Sequence, residues 1–311
     1  MSAKLGKFCK LEMLINPKKL LRRERQLKAV IGMSGKEFKI LHEQFDKLYK
    51  SVQEEKPRRR GIGGGRQGVI KDTKSKLLFI LMYVKVYPTY DLAGALFGVV
   101  ASRPHEWVNE YLPILEKALG RHCVLPLRKI SSVEEFKRLY PGVQEVILDG
   151  AERPIQRPKN NKNQKKAYSG KKKRHTRKNI YLTNEEKKIL YLSPTKSGKI
   201  HDFKQFKKTG IIDGIPEDID ILGDKGFAGI NNLSNHETFV PKKKPKNGFL
   251  TPEEKEDNSL ISSIRIKVEH AIGGVKRLGV ATNIFRGRFG SDDRFTFVSA
   301  ALWNFHLQYA A

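Results

Sequence analysis

Cysteine is nearly absent: Cys9 and Cys123 are the only two in 311 residues. That is too few for a disulfide framework or a Cys-rich zinc cluster, and both read as buried or inert thiols. Long apolar runs are missing too. No stretch of about 18 uncharged apolar residues occurs, which excludes a membrane-spanning helix. The opening residues, MSAKLGKFCKLEMLINPKKL, hold no continuous apolar segment before a small-residue cleavage site, so no secretory signal is expected. Acidic residues are scarce, 33 Asp and Glu against 61 Lys and Arg, and the formal net charge is +28. An excess of that size makes a polyanion the default partner. The starting expectation is a reduced, cytoplasmic, nucleic-acid-handling protein with no membrane partner.

There is enough chain for two domains of roughly 100–200 residues each. Residues 16–31 and 35–50 predict two helices, and in the second Phe38, Leu41, Phe45 and Leu48 recur at helical spacing. PRRRGIGGGRQG at 57–68 interrupts regular structure. Residues 71–119 then read as wholly helical. Leu77, Leu78, Ile80, Leu81 and Val84 make a buried helix closed by Tyr87-Pro88. Thr89 or Asp91 caps a short second helix that stops at Gly98, and Ser102 caps a third with Pro104 tolerated in its first turn. Helix, short helix, glycine-containing turn and helix form a helix-turn-helix signature.

Beyond residue 145 the rhythm changes. EVILDG (145–150), NIYLT (179–183), KILYLS (188–193), DIDILGD (218–224) and FVP (239–241) read as strands, the second and third as a hairpin around 184–187. Helices are expected at 201–210, 259–278 and 295–308. The fold class is therefore α/β (α+β overall), with a mixed sheet behind an all-α segment. The expected divisions are an N-terminal helical region (1–56), a basic Gly-rich linker (57–70), a helix-turn-helix DNA-binding domain (71–120), a connector (121–145) and an α/β domain (146–311).

Three acids stand out in a chain that otherwise avoids acid. Asp149 ends one predicted strand and Asp224 another, and in α/β sheets sites assemble at the carboxyl ends of strands. Glu269 lies on the long helix between Arg265 and Lys276, and all three project from one stripe roughly 60° wide. A surface ion-pair ladder would explain Glu269 alone. Its coincidence with two strand-end aspartates points instead to the three carboxylates that a pair of divalent cations needs, Mg²⁺ first, with Mn²⁺ able to substitute.

LDGAERP around Asp149, SGKIHD at 197–202, LGDKGFAG around Asp224 and RxxxExxxxxxK over Arg265, Glu269 and Lys276 occur in that order. Together they resemble bacterial insertion-sequence transposases of the family numbered five, whose DDE catalytic domain is shared with Harbinger-type transposases. RRRGIGGGRQG and KLLFILMYVKVYPTYDLAGALFGV are similar to the helix-turn-helix domain ahead of it. The likeness covers roughly residues 57–308. It implies an RNase H-like fold over 146–311, a two-metal site of Asp149, Asp224 and Glu269, and cleavage and strand transfer at transposon ends. One position departs: Ser262 stands where the related signature has a tyrosine.

From Arg153 to Asn184 there are twelve Lys and Arg and no acid. The tract leaves the first catalytic strand directly, and Lys171, Lys172, Lys173 and Arg174 in it suit phosphate contact, as Arg265 and Lys276 do. KKKPK at 242–246 reads the same way. GIGGGRQG lacks the Gly-Lys-Ser/Thr ending of a phosphate loop and follows no strand, so it is expected to be a hinge. His201-Asp202 suits helix capping and local packing, with Asp202 near the positive helix end, better than a metal pair. Sequence reading is assigned to the third helix of 71–119, where Arg103, His105 and Asn109 share a face with Glu106. The expected partner is double-stranded DNA, the element's inverted ends and its target, with two copies assembling on it. A silent, domesticated relative acting as a DNA-binding regulator is the alternative. An RNA-binding basic protein would leave the triad unexplained.

Overall fold

The computed structural model describes residues 14–57, 68–287 and 290–310. The centre of the Gly-rich linker and Cys9 lie outside them. The chain divides into two compact units, one up to Cys123 and one from Val124 to Tyr309.

The first unit contains α1 (Pro17–Leu20), α2 (Glu24–Ile31), α3 (Gly35–Glu55), α4 (Thr73–Val86), α5 (Tyr90–Phe97) and α6 (Ser102–Arg121). The single helix expected over 16–31 is two, because Arg23 leaves helical geometry with ψ 85 and starts a new helix as its N-cap. A reciprocal capping box starts α3, in which the Ser34 hydroxyl accepts from Glu37 N–H while the Ser34 N–H donates to the Glu37 carboxylate. All side chains from Ser75 to Val84 in α4 are buried, as a helix wrapped on several sides requires. Thr89 caps α5, and Gly98 ends it in the left-handed conformation. Ser102 is not the cap of α6. Ala101 holds that position without a side-chain bond, so Ser102 opens the helix and Pro104 falls in its first turn. Phe79 of α4 stacks edge-on with Phe97 (5.2 Å) and Trp107 (5.0 Å), tying the helix-turn-helix together.

In the second unit, α7 (Val133–Leu139) leads into β1 (Glu145–Pro154), α8 (Asn161–Ala167), β2 (Tyr168–Ser169), β3 (Arg174–Thr183), β4 (Ile189–Leu192) and β5 (Lys196–Ser197). There follow α9 (Asp202–Lys207), β6 (Asp220–Gly223), β7 (Thr238–Phe239), α10 (Pro252–Lys276), α11 (Gly279–Thr282) and α12 (Ser291–Tyr309). The main strands lie in the order β4-β3-β1-β6-β7. The first three run antiparallel, and β6 and β7 run parallel to β1. This is the mixed, RNase H-like sheet.

Alternation along β1 sends Val146 and Leu148 to one face, where they meet Phe136, Phe206 and Phe227. Ile147 goes to the other face, against Val268, Ala271, Ile272 and Val275 of α10. Leu127, in the expected connector, bonds to Leu190 and Leu192 and so lines the edge of β4.

β1 is longer than its sequence suggests. Its parallel ladder with β6 stops at Leu148–Gly223, while its antiparallel ladder with β3 runs on from Asp149–Tyr181 to Pro154–Thr176. Asp149 is thus the first residue past the parallel ladder, inside a strand that continues. The polar run AERP hides this, because there the pairing is one-sided.

Candidate active site at the ends of the parallel strands

Two aspartates flank the end of the β1–β6 ladder. Asp149 turns its Oδ1 back to accept from Gly150 N–H at 2.7 Å. Burial, and then the charge of Asp224, push its carboxyl up to about 6 against the Gly150 N–H and the Arg265 guanidinium. Asp224 follows β6 directly and caps a tight turn over Lys225–Phe227, its Oδ1 accepting from Gly226 N–H at 2.7 Å.

The α10 stripe lies over these acids. Arg265 is close enough to Asp149 to lower its pKa, and its Nη2 stands 3.9 Å from Glu269 Oε1. The Glu269 side chain remains 59% exposed. Further along α10, the Lys276 amine is lowered by partial desolvation and by Lys172, while Asp149 and Glu152 act the other way. Asp149, Asp224, Arg265, Lys276 and Lys172 therefore share one electrostatic neighbourhood, with Glu269 beside Arg265. Ser262 is exposed. Among the described residues, no three His, Cys, Asp or Glu side chains stand as a ready-made metal cage.

A hard divalent cation nonetheless suits the aspartate pair. Two carboxylates in mutual repulsion, one of them desolvated, are the donor set such an ion stabilises.

One acid reaches this site that the sequence reading placed only in a helix start. Asp202 is the first residue of α9, with His201 at the N-cap position making no side-chain cap bond. Asp202 sits in the first turn of α9, at the positive helix end expected for it, and its side chain is buried in local packing. It is 8% exposed, and its Oδ1 lies 2.7 Å from Lys178 Nζ. Its charge is felt at Asp149. Lys178, on β3, also approaches Glu152 (3.6 Å) and donates to Ile200 O (2.8 Å). The sequence signal for its place is the pair of glycines, Gly150 directly after Asp149 and Gly226 two residues after Asp224.

The basic tract splits by burial. Lys178 is committed to that acidic pair, and Arg153 and Arg177 both meet the buried Asp292, at 3.5 and 2.9 Å. These three are structural. Lys171, Lys172, Lys173 and Arg174 are exposed in and beside the β2–β3 turn, where Lys173 takes φ +51. In 242–246, Lys242 pairs with Glu254 and Lys244 lies over the exposed Phe249 ring.

In the first unit, the start of α6 presents its polar side chains outward. Arg103, 61% exposed, pairs with Glu106 at 2.8 Å. Asn109 Nδ2 lies 3.2 Å from His105 Nε2, and the His105 ring meets Tyr90 of α5 edge-on. All four positions are open to solvent.

Residues 148–304 match a family described as DDE superfamily endonuclease, and residues 72–121 match one described as helix-turn-helix of DDE superfamily endonuclease. A probable transposase for insertion sequence element IS702, from Microchaete diplosiphon, is 28% identical over 275 residues, which cover 88% of this chain and 93% of that protein. No solved structure matches.

Proposed function

Because the chain belongs to the DDE superfamily of endonucleases, with that superfamily's helix-turn-helix ahead of the nuclease domain, we propose that it is an insertion-sequence transposase. In this reading it binds its element's inverted ends as double-stranded DNA, cuts there, and joins the freed end to target DNA, two copies acting together. No described helix is long and apolar enough to cross a membrane. The reading assigns the protein to the bacterial cytoplasm, on the nucleoid when DNA-bound.

The observation that carries it is the Asp149–Asp224 pair under the basic stripe of α10. Asp149 and Asp224 would hold divalent cations, Mg²⁺ or Mn²⁺, with Glu269 joining them by giving up its Arg265 contact. When bound, such ions stabilise the attacking and leaving oxygens of a phosphodiester. Arg265 and Lys276 carry positive charge to the same place and would seat the phosphate between them, while Lys171, Lys172, Lys173 and Arg174 grip the flanking backbone. In the first step water attacks phosphorus and the P–O3′ bond breaks. In the second, the released 3′-OH attacks a phosphodiester of the target, joining the element's 3′ end to the target's 5′ phosphate as the target's own P–O3′ bond breaks and leaves a target 3′-OH.

Asp149→Asn, Asp224→Asn and Glu269→Gln should each abolish metal-dependent nicking of DNA carrying the element's ends. Each removes a negative charge facing a polyanion, so gel-shift affinity in EDTA should stay equal or tighten. Loss of binding in all three variants would assign these acids a structural role. Tight, end-specific binding by a wild-type protein that cuts nothing would mark a silent DNA-binding regulator.

A further inference from the structure

The glycines beside the two aspartates are both approached closely by one carboxylate, that of Asp202. A methyl group added at Gly150 would stand 2.6 Å from Asp202 Oδ1 and 2.9 Å from its Cγ. One added at Gly226 would stand 3.2 Å from Asp202 Oδ2 and 2.8 Å from Asp224 Oδ1. The segment after Asp149 and the turn after Asp224 therefore close on opposite oxygens of the same side chain. Neither φ is left-handed, so it is this close approach that asks for glycine.

Lys178 fixes that carboxylate from behind. Its amine meets Asp202 Oδ1 at 2.7 Å and Ile200 O at 2.8 Å, with Glu152 Oε1 at 3.6 Å. Glu152 is itself held by the Thr176 hydroxyl at 2.6 Å. Lys178 is 4% exposed, so the clamp is dry.

Packing alone does not account for this. A buried ion pair is often replaceable by apolar side chains without loss of stability. An acid beside Asp149 and Asp224 adds like-charge repulsion, a cost that a neutral side chain of the same shape would avoid.

We infer that Asp202, clamped by Lys178 and wedged between Gly150 and Gly226, is a positioning residue of the cleavage site. It sets the spacing of the segments that carry Asp149 and Asp224, and it keeps a further negative charge behind them that favours a divalent cation. The inference rests on the nuclease reading above.

The test uses the full chain and Mn²⁺ as probe, with three variants: Asp202→Asn, Gly150→Ala, which displaces the carboxylate without altering any charge, and the double variant D202N/K178M. One readout is the Mn²⁺ concentration giving half-maximal nicking. The other needs no activity: the Mn²⁺ concentration giving half the maximal rise in melting temperature without DNA. Asp202→Asn and Gly150→Ala should raise both by on the order of tenfold or more, the range for groups that orient metal ligands. Circular dichroism and EDTA gel-shift affinity should not change. Asp202→Asn leaves Lys178 facing Glu152; should it still fail to fold, Gly150→Ala, which keeps every charge, and the double variant, in which the Thr176 hydroxyl still holds Glu152, decide.

Unchanged Mn²⁺ dependence in every folded variant overturns the inference and leaves Asp202 a packing residue. Asp149→Asn serves as the control. If it nicks like the wild type, the nuclease reading itself falls. If it is dead while Asp202→Asn behaves as wild type, only the inference falls.

Discussion

A carboxyl held near 6 in the folded chain, against 3.8 for the unperturbed group, ties the stability of the metal-free protein to pH. The folded state of Asp149 binds its proton more tightly than the unfolded state does. Its contribution is therefore fully present below about pH 4 and is lost as the pH rises through 6. Asp149→Asn removes that penalty. Without metal, the variant should nearly equal the wild type at pH 4 and exceed it at pH 8 by on the order of 3 kcal/mol. The order should reverse on adding Mg²⁺, because only the wild type gains an ion that offsets the desolvated charge. For the same reason the wild type's metal affinity should climb between pH 5 and 7, as ion and proton compete for one carboxylate. Melting curves at three pH values, with EDTA and with Mg²⁺, test this. A wild type that melts higher than Asp149→Asn in EDTA at pH 8 would mean that the Gly150 N–H and Arg265 outweigh the cost of burial, and the metal assignment would lose its physical basis.

At the scale of elements, grip and reading fall on different pieces of chain. The first turns of α6 offer a long guanidinium, an imidazole and an amide on an exposed face, the groups that tell guanine and adenine edges apart. Arg103→Ala or Asn109→Ala should each lower the preference for element ends over scrambled duplex by about 1–3 kcal/mol. The β2–β3 turn carries point charges only. Neutralising Lys171, Lys172 and Lys173 should weaken binding to both duplexes alike and flatten the salt slope by about one unit per lost contact. Titrations on both duplexes at several salt concentrations separate the two. An unchanged ratio in both α6 variants would remove this helix as the reader. How far each element was legible follows from periodicity. Helices with one apolar stripe or strong caps, such as α3 and α5, announce themselves. The second half of β1 and the first half of β3 do not, because their polar residues make buried ion pairs that only the paired strands reveal. The ion pair of Asp202 is hidden for a related reason: its partner Lys178 is 24 residues away and belongs to a tract that reads as solvent-facing.

Over the whole molecule, the charge of +28 has no single address. Part of it neutralises internal acids, as at Lys178, Arg153 and Arg177, and part faces outward on both units. Each unit has a core of its own, Leu77, Phe79 and Phe97 in the first and the two faces of the sheet in the second. The division at Cys123 and Val124 crosses no strand or helix. Cooperative folding should then survive separation. A chain of residues 124–311 keeps Asp149, Asp224, Glu269 and the exposed lysines of the β2–β3 turn, and lacks α6. It should melt cooperatively and nick DNA in Mg²⁺ without regard to the element's ends, with a preserved salt slope for non-specific binding. Full-length protein should show the end preference under identical conditions. The comparison is made with an equimolar mixture of end-bearing and scrambled duplexes in one tube, so that differences in total activity cancel. Persistence of end preference in the shortened chain would move sequence reading into the nuclease unit, and the α6 face would then have to serve another purpose.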